Sequence, residues 1–198
     1  MSSIAKIAVL ISGGGTNLQA IIDRLAAGEL PHVALALVVS SRKNAGGLDR
    51  AERAGIKHVY IGKENFEQEL IELLEEHEID IIVLAGFLKI LSSDFVSRYP
   101  DRIINVHPSL IPSFCGDGFY GLRVHEAALS YGVKVTGATV HFVNEVTDGG
   151  KIIAQHAVDV TDGDTPEILQ RRVMEEAEWK LLPAAVEKVA AEIVARRG

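Results

Sequence analysis

Val9-Leu10-Ile11-Ser12-Gly13-Gly14-Gly15-Thr16-Asn17-Leu18 decides the fold class. An aliphatic run ends in three glycines, and a helical pattern starts at once: Leu18, Ile21, Ile22 and Leu25 fall at i, i+3, i+4 and i+7. This reads as a strand turning into a helix through a loop that lets a ligand approach the backbone. Residues 33–40 and 79–84 repeat the Val/Ile/Leu character of residues 4–11 with little polar interruption. Strands of a parallel sheet look like this, because helices cover both faces. Phe66, Leu70, Leu73 and Leu74 restore helical spacing between them, with Gly28 and Gly55 where helices stop. The acidic run over residues 64–78 reads as the solvated face of that helix.

Towards the C-terminus the pattern loosens. Residues 102–107, 134–143 and 151–160 read as strands, the second alternating and β-branched. Residues 108–121 hold two prolines and three glycines without helical period, and form a loop. A helix is expected over 122–131 and a turn over 144–150. Thr165-Pro166-Glu167 has a capping Thr and Pro at the first helical position, opening a long terminal helix expected to bend at Pro183. The expected architecture is a single α/β domain over 1–198, Rossmann-like, with a mostly parallel sheet flanked by helices and an irregular edge.

Composition narrows the function. The 198 residues carry 20 Lys/Arg and 27 Asp/Glu, a net charge of −7. That balance argues against a general nucleic-acid partner, which needs cations to displace counterions. The lone Cys115 excludes an intrachain disulfide and a multi-cysteine zinc site, and fits a reducing compartment. It lies in the Pro/Gly loop with no base beside it, so it reads as a loop residue, not a nucleophile. His32, His58, His77 and His156 show no ligand spacing, so no metal is expected. The longest apolar run, residues 81–88, falls short of the roughly 20 residues a membrane helix needs. No membrane partner or leader peptide is expected, and a cytoplasmic location is.

The glycine loop reads as a phosphate site, since the helix start offers free N–H groups and the positive end of its dipole. It lacks the third glycine of a dinucleotide fingerprint, and Ser40-Ser41-Arg42 stands where an acid would hold a ribose. No Gly-Lys-Ser/Thr follows, so it is not a P-loop either. A phosphomonoester fits, with Thr16 and Asn17 adding side-chain donors; a plain tight turn is the other reading. In Asn105-Val106-His107-Pro108-Ser109, Asn105 and His107 share one strand face, and Pro108 keeps His107 out of helical conformation. An amide and an imidazole side by side suit a tetrahedral intermediate. A cationic His needs a carboxylate neighbour, and Asp148, before Gly149 and Gly150, is the candidate among many acids. A purely structural His107 also stays open here. His141 alternates within its strand, where it reads sooner as packed than as part of the site, and His125 reads as a surface or packing residue.

These segments together resemble the folate-dependent phosphoribosylglycinamide formyltransferase family. The resemblance runs from the stretch through Ile22, over Val83-Leu84-Ala85-Gly86-Phe87-Leu88-Lys89-Ile90-Leu91-Ser92 and Asn105-Val106-His107-Pro108-Ser109-Leu110-Ile111-Pro112, to Thr136-Gly137-Ala138-Thr139-Val140-His141-Phe142-Val143 and Asp148-Gly149-Gly150. It implies formyl transfer from the co-substrate 10-formyltetrahydrofolate to the amine of glycinamide ribonucleotide, a step of purine biosynthesis. It implies Asn105, His107 and Asp148 as catalytic residues, with Asp148 raising the pKa of His107. Gly15, Thr16 and Asn17 are implied at the ribonucleotide phosphate, and Glu178, with Glu175 nearby, elsewhere on that substrate. Lys63, Leu88, Lys89, Ile90 and Leu91 are implied around the folate, with Asn144, Glu145, Val146, Thr147, Asp148 and Asn105 on its other side. The N-terminal half is then expected to bind the phosphate, the C-terminal half to bind folate and catalyse. A homodimer follows by analogy.

The sequence departs from the family pattern at four places. Gly13-Gly14-Gly15-Thr16-Asn17 stands for a usual Gly-Asn-Gly-Ser-Asn, keeping hydroxyl and amide. Lys89 replaces a familiar Arg, Glu178-Trp179 replaces a common acid-His pair, and the loop over 113–121 is longer than in many members and reads as a cover. Three other functions compete. A tRNA formyltransferase is expected to add a tRNA-binding domain and a basic surface. A formyltetrahydrofolate hydrolase is expected to add an N-terminal regulatory domain. A catalytically silent nucleotide-binding module would not need Asn105, His107 and Asp148 together.

Overall fold

Strand β1 (Ala5–Ile11) sends alternate side chains to opposite faces of the sheet. Ala5, Ile7, Val9 and Ile11 enter one apolar core, while Ala8 and Leu10 enter another. β4 (Ile81–Leu84) divides the same way, Ile81 and Val83 against Ile82 and Leu84. Both faces being buried explains the unbroken aliphatic runs. The structure is a computed structural model describing residues 4–62 and 64–197.

Helix α1 (Thr16–Ala26) lays Leu18 and Ile21 on the first core, and α3 (Phe66–Glu76) lays Phe66, Leu70 and Leu74 on the second. The remaining elements are β2 (Val33–Ser40), α2 (Gly46–Arg53), β3 (His58–Tyr60), α4 (Ser93–Arg98), β5 (Ile103–His107), α5 (Leu122–Tyr131), β6 (Val135–Phe142), β7 (Ile152–Asp159), α6 (Pro166–Val173) and α7 (Trp179–Ala195). The seven-stranded sheet runs β3-β2-β1-β4-β5-β6-β7. Its first five strands are parallel, and β6 and β7 are antiparallel additions. The α/β architecture with an irregular edge is as the sequence implies. The chain order reverses direction between β1 and β4, which opens a crevice beyond their carboxyl ends.

Three features differ from the sequence reading. β3 is a three-residue edge strand with two of its residues exposed, too short and too polar to show a pattern. α4 has six residues, capped by the Ser92 hydroxyl, which accepts the Phe95 N–H at 3.1 Å. The terminal helix is interrupted before Pro183, by a π-helical turn over Met174–Glu178. Pro183 itself sits inside α7, near its start, where its missing N–H removes a single bond. The wide turn is the larger departure, and such turns mark functional segments. Thr165 caps α6 as expected, accepting the Ile168 N–H, with Pro166 in the first turn.

Candidate active site

The carboxyl ends of β1, β4 and β5 open into a cleft of about 440 Å³. Asn105 and His107 share one face of β5, as period two requires. β6 runs antiparallel beside it, in a register that sets His141 opposite Asn105 and Thr139 opposite His107. His141 therefore reaches the site, correcting the reading of it as packing. Its Nδ1–H donates to the Phe142 carbonyl at 2.8 Å, and its Nε2 lies 3.1 Å from the Asn105 amide nitrogen. Only the register shows this, because the sequence does not say which strand pairs with β5.

Asp148 closes the group. It adopts a left-handed conformation (φ 55°) in the turn after β6. A Cβ on Gly150 would stand 1.7 Å from the Phe142 carbonyl oxygen, so this turn closes only with glycine there. Asp148 Oδ1 lies 3.5 Å from the Asn105 amide nitrogen and 3.6 Å from His141 Nε2. Its Oδ2 accepts the Gly116 N–H at 2.9 Å and lies 3.5 Å from His107 Nδ1. Burial pushes the Asp148 carboxyl up, but His141, the Gly116 N–H and His107 outweigh it and hold it below the usual carboxylate value.

His107 is 4% exposed. Its Nε2–H donates to the Phe114 carbonyl at 2.9 Å, so both ring nitrogens face acceptors. Burial nonetheless pushes the imidazole below its ordinary value, and Asp148 and the Phe114 carbonyl offset this only in part. Asp148 thus acts in the expected direction but leaves the imidazole below its ordinary value. The burial of the ring was the unread quantity, and it wins. Burial also pushes the Cys115 thiol up, with the Asp148 charge adding to it, which leaves no activated nucleophile.

Leu88, Lys89, Ile90 and Leu91 line the cleft, as do Asn144, Glu145, Val146, Thr147 and Asp148. Ser12 Oγ accepts the Leu88 N–H at 2.9 Å and stands 2.7 Å from Ser41 Oγ, so the end of β1 carries this wall. Lys89 Nζ sits 4.0 Å from the centre of the Phe66 ring. Thr16, Asn17, Gln170, Met174 and Glu178 line it too. Burial pushes the Glu178 carboxyl up, and a hydrogen bond from Asn17 pulls it back only in part. The lining draws on both halves of the chain.

Two expected residues lie off the cleft wall. Glu175 is exposed and off the cleft wall, because the π turn rotates Glu178 inward and leaves Glu175 outward. Gly15 is also off the wall: a Cβ there would lie 2.6 Å from Gly47 Cα, so its side packs on α2. Lys63 lies outside the described residues. His125 is buried beside the cleft with both ring nitrogens unpartnered, which excludes the surface alternative and leaves the packing one. Gln170 and Met174 were missed because nothing in a helical stripe marks a residue that faces a cleft. Among the described residues, no group of three or more His, Cys, Asp or Glu is arranged to hold a metal ion, and no helix is long and apolar enough to cross a membrane.

This geometry has known counterparts. The formyl transferase family profile matches residues 5–186. The chain belongs to the formyl transferase family. A related formyl transferase, the phosphoribosylglycinamide formyltransferase of Haemophilus influenzae, is 40% identical over 187 residues, 91% of this chain and 85% of that protein. The trifunctional purine biosynthetic protein adenosine-3 of Bos taurus is 46% identical over 193 residues, 94% of this chain but 18% of that protein. The chain therefore spans only that share of the trifunctional relative. Glycinamide ribonucleotide transformylase 1 from Symbiobacterium toebii has the same fold, with a TM-score of 0.88 at 40% identity over 96% of this chain and 89% of that one.

Proposed function

We propose that this formyl transferase moves the formyl group of 10-formyltetrahydrofolate to the amine of glycinamide ribonucleotide, N1-(5-phospho-D-ribosyl)glycinamide. Formylglycinamide ribonucleotide and tetrahydrofolate result, as a step of purine biosynthesis. The observation that carries this reading is the convergence of Asn105, His107, His141 and Asp148 on the wall of a single cleft. The relatives' names support the same substrates.

In this reading the amine nitrogen attacks the formyl carbon and the carbonyl oxygen becomes an oxyanion. The Asn105 amide and a protonated His107 donate to it, a kind of contact worth about 10²–10³ in rate for a single donor. The oxyanion supplies the negative charge that the buried imidazole lacks, and so raises its pKa as charge develops. His107 Nε2 is spent on the Phe114 carbonyl, so the substrate oxygen displaces that loop contact. The bond to the folate nitrogen then breaks, and that nitrogen receives a proton from the incoming amine. Asp148 keeps His107 as basic as its burial allows, and His141 orients the Asn105 amide. Thr16, Asn17, Glu178 and the N–H groups of the glycine loop hold the ribonucleotide. Leu88, Lys89, Ile90, Leu91 and residues 144–148 hold the pterin.

The partners in this reading are these small molecules, with the enzyme a cytoplasmic homodimer. β7 has one unpaired edge, and Ile152 on it is 40% exposed, a surface suited to a second copy. Sedimentation velocity tests the dimer. The activity is tested by following a deaza-folate analogue's absorbance with and without glycinamide ribonucleotide. Deformylation that needs the ribonucleotide supports the transferase; deformylation without it replaces this reading with a hydrolase.

A further inference from the structure

The glycine loop is held from behind by α2. The Gly13 carbonyl accepts the Gly47 N–H at 3.1 Å, and the Gly14 carbonyl accepts Arg50 Nε at 2.7 Å. Arg50 Nη1 also donates to Gln19 Oε1 at 3.0 Å, in the first turn of α1. A trans peptide is planar, with its N–H opposite its C=O. Tying these two carbonyls to α2 therefore turns the Gly14 and Gly15 N–H groups away from it. Among the described residues, neither N–H meets a protein acceptor. α1 has no side-chain cap and begins from Gly15 at φ 72°, so its own first N–H groups continue the row. A Cβ on Gly13 or Gly14 would meet nothing within 4 Å, so the loop is open around both. Successive N–H groups of this kind form an anion-binding concavity.

We propose that Arg50 is a positioning residue for the substrate phosphate, acting through the Gly14 carbonyl and not through its charge. The inference rests on the phosphate role given to this loop above. The guanidinium stands on the carbonyl side of the Gly14–Gly15 peptide, behind the N–H groups that would meet the anion. Two of its donors are spent on holding the loop to α1. Arg50 thereby preorganises the backbone donors, so binding does not have to order three consecutive glycines.

Three substitutions separate geometry from charge. Gln places an amide nitrogen the same number of bonds from Cα as Arg Nε, so Arg50→Gln keeps the donor to Gly14 without the charge. Arg50→Lys keeps the charge and puts a methylene at that point. Arg50→Met keeps neither. Arg50→Met is expected to raise the KM for glycinamide ribonucleotide about tenfold, the scale of one net hydrogen bond's worth of lost preorganisation. The folate KM and kcat should stay within about twofold, which also reports an intact fold. Arg50→Gln should recover most of the loss, and Arg50→Lys should resemble Arg50→Met. The dephosphorylated substrate should be indifferent to all three.

Recovery by Lys and not Gln would assign the effect to charge and overturn the proposal. Equal changes in the folate KM would reduce Arg50 to a general structural residue. Calorimetry with inorganic phosphate reads the loop apart from turnover. Wild-type protein that binds phosphate but transfers no formyl group overturns the transfer reading alone. Wild-type transfer unaffected by Arg50→Met overturns the positioning role alone.

Discussion

Asn17 Nδ2 donates to Glu178 Oε2 at 2.6 Å, tying the first turn of α1 to the π turn across 161 residues of chain. The pair is buried, and the other Asn17 atom, Oδ1, has no partner. Glu178 titrates above its ordinary value in the folded protein. An acid raised in this way contributes stability below its unfolded pKa and loses it as pH rises through the folded one. At neutral pH, where the unfolded chain carries the charge, burying this carboxyl is therefore a cost. Glu178→Gln keeps an oxygen for Asn17 and removes that cost. The melting temperature should rise at pH 7 and change little near pH 4, while the KM for glycinamide ribonucleotide increases. Melts at the two pH values, beside steady-state kinetics, check this.

Asn105→Ala removes the amide that His141 orients. Turnover should fall about 10²–10³-fold, with the affinity for the ribonucleotide nearly unchanged, because the donor acts on the transition state. Intact kcat in this variant would remove Asn105 from the chemistry.

Asp148→Asn leaves an oxygen for the Gly116 N–H but removes the charge beside His107. Asp148 is the larger of the two contributions, with the Phe114 carbonyl, that raise this imidazole against its burial. Its loss should lower the His107 pKa further, and with it kcat. The alkaline limb of the kcat profile should move to lower pH, since the protonated ring is then lost earlier. An NMR titration of His107 in both proteins measures the shift directly.

Burial pushes His125 down to about 4, with the nearby His107 adding to the effect. Between the ordinary value of 6.5 and about 4 the unfolded chain binds a proton that the folded chain refuses, so stability falls as pH drops through this window. The loss approaches roughly 3 kcal/mol at the acid end, at 1.36 kcal/mol per unit. His125→Leu also removes two unpartnered nitrogens, and should flatten the fall while leaving stability at pH 8 close to that of the wild type. Chemical denaturation from pH 4 to 8 decides it.

The helical stripe from Leu18 to Leu25 and the aliphatic strands β1, β2 and β4 were legible because their periodicity is local and both sheet faces are covered. The short edge strand β3 and the six-residue α4 carry too few residues for any period to show. In the site, Asn105 and His107 were legible because two positions on one strand must share a face. His141 was not, since its approach to Asn105 depends on β6 running antiparallel beside β5. Glu178 and Glu175 could not be told apart either: an α-helical count does not foresee the extra residue of a π turn.

The sequence by itself determined the alternation of strands and helices, the glycine turn that leaves backbone donors free, and the pairing of Asn105 with His107. All of these follow from conformational preferences within a few residues. Tertiary structure alone decided that β6 brings His141 to Asn105, that a glycine turn sets Asp148 within 3.5 Å of His107, and that Asn17 meets Glu178. It also decided the direction in which the His107 pKa moves, because that turns on how deeply the ring is buried, and burial belongs to the packed chain rather than to any segment of it.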